Sequence, residues 1–313
     1  MENKHTVGHL VAILTIFIWG TTFVSTKILL IDFSPIEILF FRFIMGLIAL
    51  MLVYPHRLKV KDKKHELLFM GAGLCGVTLY YLLENIALTY TMASNVGVIC
   101  SLSPFFIAIV SYLFLKDEPL RINFFIGFVV AMVGIYLISF SGASNFQLNP
   151  LGDLLAVAAT IVWAFYSVLT RKISGYGYNT IQITRRFFFY GILFMLPALL
   201  LFDFKLGLER FADPVNLFNI VFLGLGACAL CFVTWNFAVK VLGAVRTSVY
   251  IYLIPVITVV SSMIVLHEKI TGMAALGTIL TLAGLLVSEG KMYLRKKDSK
   301  QKHNDHSKKT AQV

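Results

Sequence analysis

Charged residues interrupt this 313-residue chain about every 20 to 30 residues, and the stretches between them are almost wholly apolar. That interval is the length one helix needs to cross a bilayer core. Ten spans are legible: Leu10–Leu30, Pro35–Tyr54, Leu67–Thr89, Ala93–Leu115, Asn123–Phe140, Leu151–Leu169, Thr180–Phe202, Val215–Ala238, Val245–Leu266 and Gly272–Met292. No water enters the hydrocarbon, so each backbone polar group must bond within the spanning structure. The alternating pattern of barrel strands is absent, which leaves helices. The expected fold is an all-α membrane protein of ten transmembrane helices. The composition, 58% hydrophobic and 14% charged, is far from a soluble domain's roughly 45–50% apolar and about 25% charged. The apolar run after His9 is too long for a signal-peptide core and has no small-x-small cleavage site after it, so it counts as the first span.

The net charge of +11 is mostly local. Residues 291–313 hold eight Lys/Arg against Asp298 and Asp305, which supplies +6. A basic tail over residues 293–313, with His303 and His306, suits anionic lipid rather than nucleic acid. With the N-terminus inside, segments on the cytoplasmic side hold 20 Lys/Arg, and those on the other side hold only Lys205, Arg210 and Lys269. The positive-inside rule then places both termini in the cytoplasm. The expected address is a bacterial cytoplasmic membrane.

The halves of the chain repeat each other. At an offset of 144, Gly8-His9-Leu10 meets Gly152-Asp153-Leu154, Trp19 meets Trp163, Lys27 meets Arg171 and Arg42 meets Arg186. At 151, Asn85 meets Asn236, Ala87 meets Ala238 and Pro104 meets Pro255; at 150, Glu118, Gly127 and Gly134 meet Glu268, Gly277 and Gly284. The division is residues 1–140, residues 151–292 and the tail. Five spans per half is an odd number, so the second copy enters the membrane inverted. Inverted repeats are a transporter signature, with the substrate site near the midplane.

The run Leu83-Glu84-Asn85-Ile86-Ala87-Leu88-Thr89-Tyr90-Thr91, followed by Pro104, Lys116-Asp117-Glu118-Pro119, Gly127 and Gly134, resembles the EamA half-repeat of the drug/metabolite transporter superfamily. Asn236-Phe237-Ala238, Pro255, Glu268, Gly277 and Gly284 resemble its second copy. The resemblance implies a ten-helix carrier with spans 3, 4, 8 and 9 around the pathway and spans 5 and 10 at the periphery. Family members mostly export amino acids and small metabolites or exchange sugar derivatives. Glu84 departs from the repeat, because its counterpart is Trp235.

An ionisable group deep in a membrane is costly and marks a functional hypothesis. Arg42 and Glu84 fall at similar depth near the outer side and are expected to approach one another. They form either a structural ion pair or a site where Glu84 carries a coupling proton. Arg185 and Arg186 fall in the inner third, and one of them snorkels to headgroups. Arg186, the repeat mate of Arg42, is the candidate for an unpaired guanidinium that holds an anionic group on the cargo. Pro104 and Pro255 sit at the middle of their spans, where a proline bends a helix and frees the carbonyl four residues back. Trp19 and Trp163 are also midspan, away from the interfacial belts. Tyr81, Trp235, Tyr252, Asn85 and Asn236 complete a candidate substrate-binding set; the two asparagines serve either the cargo or the contact between helices. The glycines of spans 5 and 10 permit close packing, within the chain or in a homodimer.

Other classes lack their chemistry. No Walker-type glycine loop is present, so ATP does not drive the chain directly. No nucleophile elbow or His/Glu zinc motif supports a membrane enzyme. Cys75, Cys100, Cys228 and Cys231 lie in apolar stretches and read as buried hydrophobes, so neither a metal nor another cofactor is expected. The reading is a secondary transporter of a small metabolite with an anionic group, exported by alternating access with Glu84 as a candidate for proton coupling. An uncoupled facilitator or exchanger is the alternative, and a lipid scramblase is the rival from another class.

Overall fold

The computed structural model describes residues 2–60, 62–90, 93–115, 122–141, 150–202, 204–266, 272–273 and 275–288. Glu118, Glu268 and the tail with His303 and His306 lie outside the described residues. Every regular element among the described residues is helical. Among the described residues, six helices are long and apolar enough to cross a membrane: Lys4–Leu29, Pro35–Val53, Lys63–Tyr90, Pro150–Ser174, Thr180–Leu201 and Pro214–Leu242. Four shorter apolar helices accompany them. The long helices match expected spans 1, 2, 3, 6, 7 and 8 to within a few residues, except that α1 (Glu2–Leu29) begins eight residues early.

Local chemistry sets several ends. Helix α2 (Pro35–Val53) starts at Ser34, whose hydroxyl accepts from Glu37 N–H while the Glu37 carboxylate accepts from Ser34 N–H, so both orphan donors are satisfied. Its counterpart α9 (Thr180–Leu201) is capped by Asn179, which accepts from the N–H groups of Ile181 and Gln182. Spans 3 and 8 are not uniform. In span 3, α3 (Lys63–Gly73) and α4 (Tyr80–Tyr90) flank a π-helical segment over Leu74–Leu79. In span 8, α10 (Pro214–Val221) and α11 (Cys231–Leu242) flank another over Phe222–Leu230. Such wide turns leave backbone carbonyls free for other donors and recur at functional sites.

Span 4 is interrupted by a turn, and span 9 tightens to a 3₁₀ helix in its course. α5 (Ala93–Cys100) and α6 (Ser103–Phe114) are separated by a turn at residues 101 and 102. α12 (Ala244–Ser248) leads through a 3₁₀ turn, Val249–Tyr252, into α13 (Leu253–Leu266). Each irregular turn comes just ahead of its proline. Pro104 and Pro255 therefore open the second segment of each span, where a missing N–H costs little. The Cys100 carbonyl, denied its usual donor by Pro104, accepts the Ser103 hydroxyl at 2.6 Å.

The core joins the two halves of the chain. α1 packs on α11 and α13, α8 (Pro150–Ser174) packs on α4 and α6, and α2 packs on α9 and the second π segment. Repeat mates fasten matching ends. Lys27 Nζ donates to Leu88 O at the end of α4, and Arg171 Nη1 donates to Lys240 O at the end of α11. α7 (Ile122–Ser141) lies against α14 (Ala275–Ser288) backbone to backbone. A Cβ on Gly127 would come 2.5 Å from Gly284 O, and one on Gly134 would come 2.5 Å from Gly277 O. The glycine stripes are thus consumed within the chain.

Candidate functional site

A cavity of about 30 Å³ lies between the helices, with room for about two water molecules. Its wall takes Trp19, Thr22 and Phe23 from α1, Tyr80, Tyr81 and Glu84 from α4, and Trp163 from α8. Cys100, Ser103, Ile251 and Ile254, which lie in or beside these irregular turns, complete it. Spacing explains much of this. Tyr80, Tyr81 and Glu84 fall within one turn or so of α4, and Trp19 and Thr22 are three apart on α1.

The tryptophans meet one another. The Trp19 and Trp163 rings are 5.5 Å apart at 80°, and Trp235 lies 5.1 Å from Trp19. Tyr80 packs 4.8 Å from Trp163 and 4.8 Å from Tyr81, the latter pair at 84°. Trp19 Nε1 donates to Ala227 O at 3.0 Å, a carbonyl of the second π segment. Trp163 and Trp235 each leave a buried Nε1 without a partner.

Arg42 and Glu84 come near but do not touch. Arg42 is 2% exposed, and its Nε donates to Cys228 Sγ at 3.1 Å. Its guanidinium lies over the Tyr81 ring at 4.4 Å, a cation–π contact. It makes no ion pair with a described carboxylate, and Nη2 has no partner. Glu84 is 6% exposed, its Oε2 has no partner, and it acts on Arg42 through space. Of the two readings of these residues, the structural ion pair is not formed, because Arg42 turns to Tyr81 and Cys228 on neighbouring helices.

Arg186 requires a correction. Expected to be unpaired in the pathway, it binds the Glu66 carboxylate through both Nε and Nη2, and Tyr190 donates to the same oxygen. Its side chain is 34% exposed. The reason is that Glu66 stands on the first turn of α3, packed against α9. Arg185 donates to Tyr54 O at 2.5 Å and His56 O at 2.8 Å, which caps the free carbonyls at the end of α2.

Other expected residues are buried away from the cavity wall. Asn236 is fully occupied: its Oδ1 accepts from Tyr166 OH at 2.6 Å, and its Nδ2 donates to Thr184 Oγ1 at 2.9 Å. It joins three helices. Asn85 donates to Pro35 O at 3.1 Å and leaves Oδ1 unpartnered. Tyr252 is fully buried, faces Phe128 of α7 and has an unpartnered hydroxyl. Sequence reasoning missed Thr22 on the wall and Cys228 beside Arg42. Thr22 was detectable one turn from Trp19; Cys228 reaches Arg42 only through a contact 186 positions apart.

The EamA-like transporter family matches residues 6–140 and again 150–289. The chain belongs to that family. An uncharacterized transporter of Archaeoglobus fulgidus is 29% identical over 296 residues, covering 91% of this chain and 98% of that protein. The uncharacterized transporter YyaM of Bacillus subtilis is 26% identical over 292 residues, covering 90% and 93%. A solved crystal structure superposes with a TM-score of 0.71 at 22% identity, covering 92% of this chain and 96% of that one, so the fold is shared. The protein is a multi-pass membrane transporter.

Proposed function

We propose that the protein is a secondary carrier that moves a small metabolite out of the cytoplasm by alternating access, with Glu84 as the proton-coupling group. The observation that carries this reading is a carboxylate oxygen, Glu84 Oε2, buried without a partner at the wall of the central cavity. Such a group can hold a proton in one state of the cycle and meet the cargo in another. The cavity admits about two waters, so it must widen to take a metabolite. Inverted five-helix halves, ten spans and both termini in the cytoplasm of a bacterium are part of the proposal, supported by the repeat and the charge distribution. The anionic preference expected from Arg186 is dropped, because that guanidinium is held by Glu66.

The test is reconstitution into liposomes loaded with a pH-sensitive dye, challenged with amino acids, organic acids and amines. A transported solute should move protons in the wild type and not in Glu84→Gln. If a normally folded Glu84→Gln still transports and responds to the pH gradient, the coupling role fails and an uncoupled facilitator takes its place.

A further inference from the structure

The cavity wall carries a carboxylate, while the Arg42 guanidinium stands off the wall over the Tyr81 ring. Glu84 is its charged side chain; neither Arg42 nor Arg186 stands on it. Two hydroxyls on the wall direct their protons away. Thr22 Oγ1 donates to Trp19 O at 2.7 Å and Ser103 Oγ donates to Cys100 O at 2.6 Å. Each therefore presents oxygen lone pairs to the cavity. The indole N–H of Trp19 is committed to Ala227 O. Trp163 Nε1 is the wall tryptophan donor left without a partner. An anionic cargo would meet a like charge and acceptor atoms.

Four aromatic rings complete the wall. Trp19 stands at 80° to Trp163, and Tyr80 at 84° to Tyr81. All four rings line the cavity, and Tyr81 also carries the Arg42 guanidinium over its ring. Ring faces carry negative quadrupole potential and attract a desolvated cation.

We infer that the cavity is an ammonium site: Trp19, Tyr80, Tyr81 and Trp163 enclose the cationic head of the cargo and Glu84 neutralises it. The cargo class is a small organic ammonium compound, and Trp163 Nε1 offers one donor to a hydroxyl or carbonyl beside that head. This assignment rests on the carrier reading above. The rings now close on a space for about two waters, so the head enters as the walls part. Cys100, Ser103 and Ile251 belong both to the wall and to the irregular turns of spans 4 and 9, which places the irregular backbone where the wall moves.

The experiment uses the purified full-length chain and four probes: tetramethylammonium, choline, the neutral choline isostere 3,3-dimethylbutan-1-ol, and acetate. Thermal unfolding and tryptophan fluorescence report binding. Both cations should raise the unfolding midpoint with concentration, while the isostere and acetate should not. Glu84→Gln, which keeps the side-chain shape, should weaken choline binding by about tenfold or more. The assignment is overturned if the isostere matches choline, if acetate binds instead, if neither cation binds, or if Glu84→Gln leaves choline binding unchanged. If it falls while liposomes still show Glu84-dependent proton movement with another solute, the carrier reading survives. If both fail, the proton-coupling role of Glu84 falls as well.

Discussion

Arg42 and Arg186 are repeat mates, yet they live in opposite environments. Arg42 is 2% exposed and rests on a tyrosine ring and a thiol; Arg186 is a third exposed and grips Glu66. Lys27 and Arg171, another pair of mates, do the same job, each donating to a carbonyl at the end of a helix of its own half. The difference lies in the neighbours. Backbone carbonyls are present at both places whatever the sequence, so Lys27 and Arg171 behave alike. Side chains are not symmetric. Glu66 stands by Arg186, whereas Tyr81, Cys228 and the distant Glu84 stand by Arg42. A repeat transmits position, and the local side chains assign the role.

The largest expected effect separates the two arginines. Arg42→Ala should destabilise the protein by about 3 kcal/mol, since it opens a void in the core and leaves Glu84 without the cation near it. Arg186→Ala should cost less than about 1 kcal/mol, because water reaches the Glu66 carboxylate. Thermal unfolding in one detergent measures both; equal losses would erase the distinction.

The asparagine mates offer a second contrast. Asn236→Ala takes the acceptor from the Tyr166 hydroxyl and a donor from Thr184 Oγ1, which keeps its own bond to Thr180 O, and should cost about 1–3 kcal/mol. Asn85→Ala removes one bond and an unsatisfied oxygen and should cost about 1 kcal/mol or less. A reversed order in denaturant titrations would show that Asn85 holds more than its contacts reveal.

The smallest effect sharpens the inner pair itself. A double-mutant cycle of Arg186→Ala with Glu66→Gln should return a coupling of roughly 0.2–1 kcal/mol that shrinks in high salt, as for a partly solvated ion pair. A coupling several times larger, insensitive to salt, would make the pair a closed gate rather than a surface clasp.

Much of the fold was legible. The six long helices fall where charges and apolar runs placed them. The small residues of α7 and α14 meet each other, which resolves packing that the sequence left open between one chain and two. The π segments escaped notice, since a wider turn changes neither the composition nor the length of a span. Pro104 and Pro255 signalled irregular backbone, but only the fold revealed a turn ahead of the first and a 3₁₀ segment ahead of the second. Of the candidate site, Trp19, Tyr81, Glu84 and Trp163 line the cavity, whereas Trp235, Asn236, Tyr252 and Arg186 pack elsewhere.

The sequence alone determined that this chain is a bundle of apolar helices and which residues in it are costly to bury. Both follow from local properties, because the bilayer constrains every stretch of about twenty residues separately. The tertiary structure decided which of those residues meet. One residue along a helix turns a side chain by about 100°, so partners depend on how each helix is rotated against its neighbours. That rotation brought Glu66 to Arg186, set Tyr81 beneath Arg42, and left one carboxylate oxygen of Glu84 unpartnered beside an aromatic cavity.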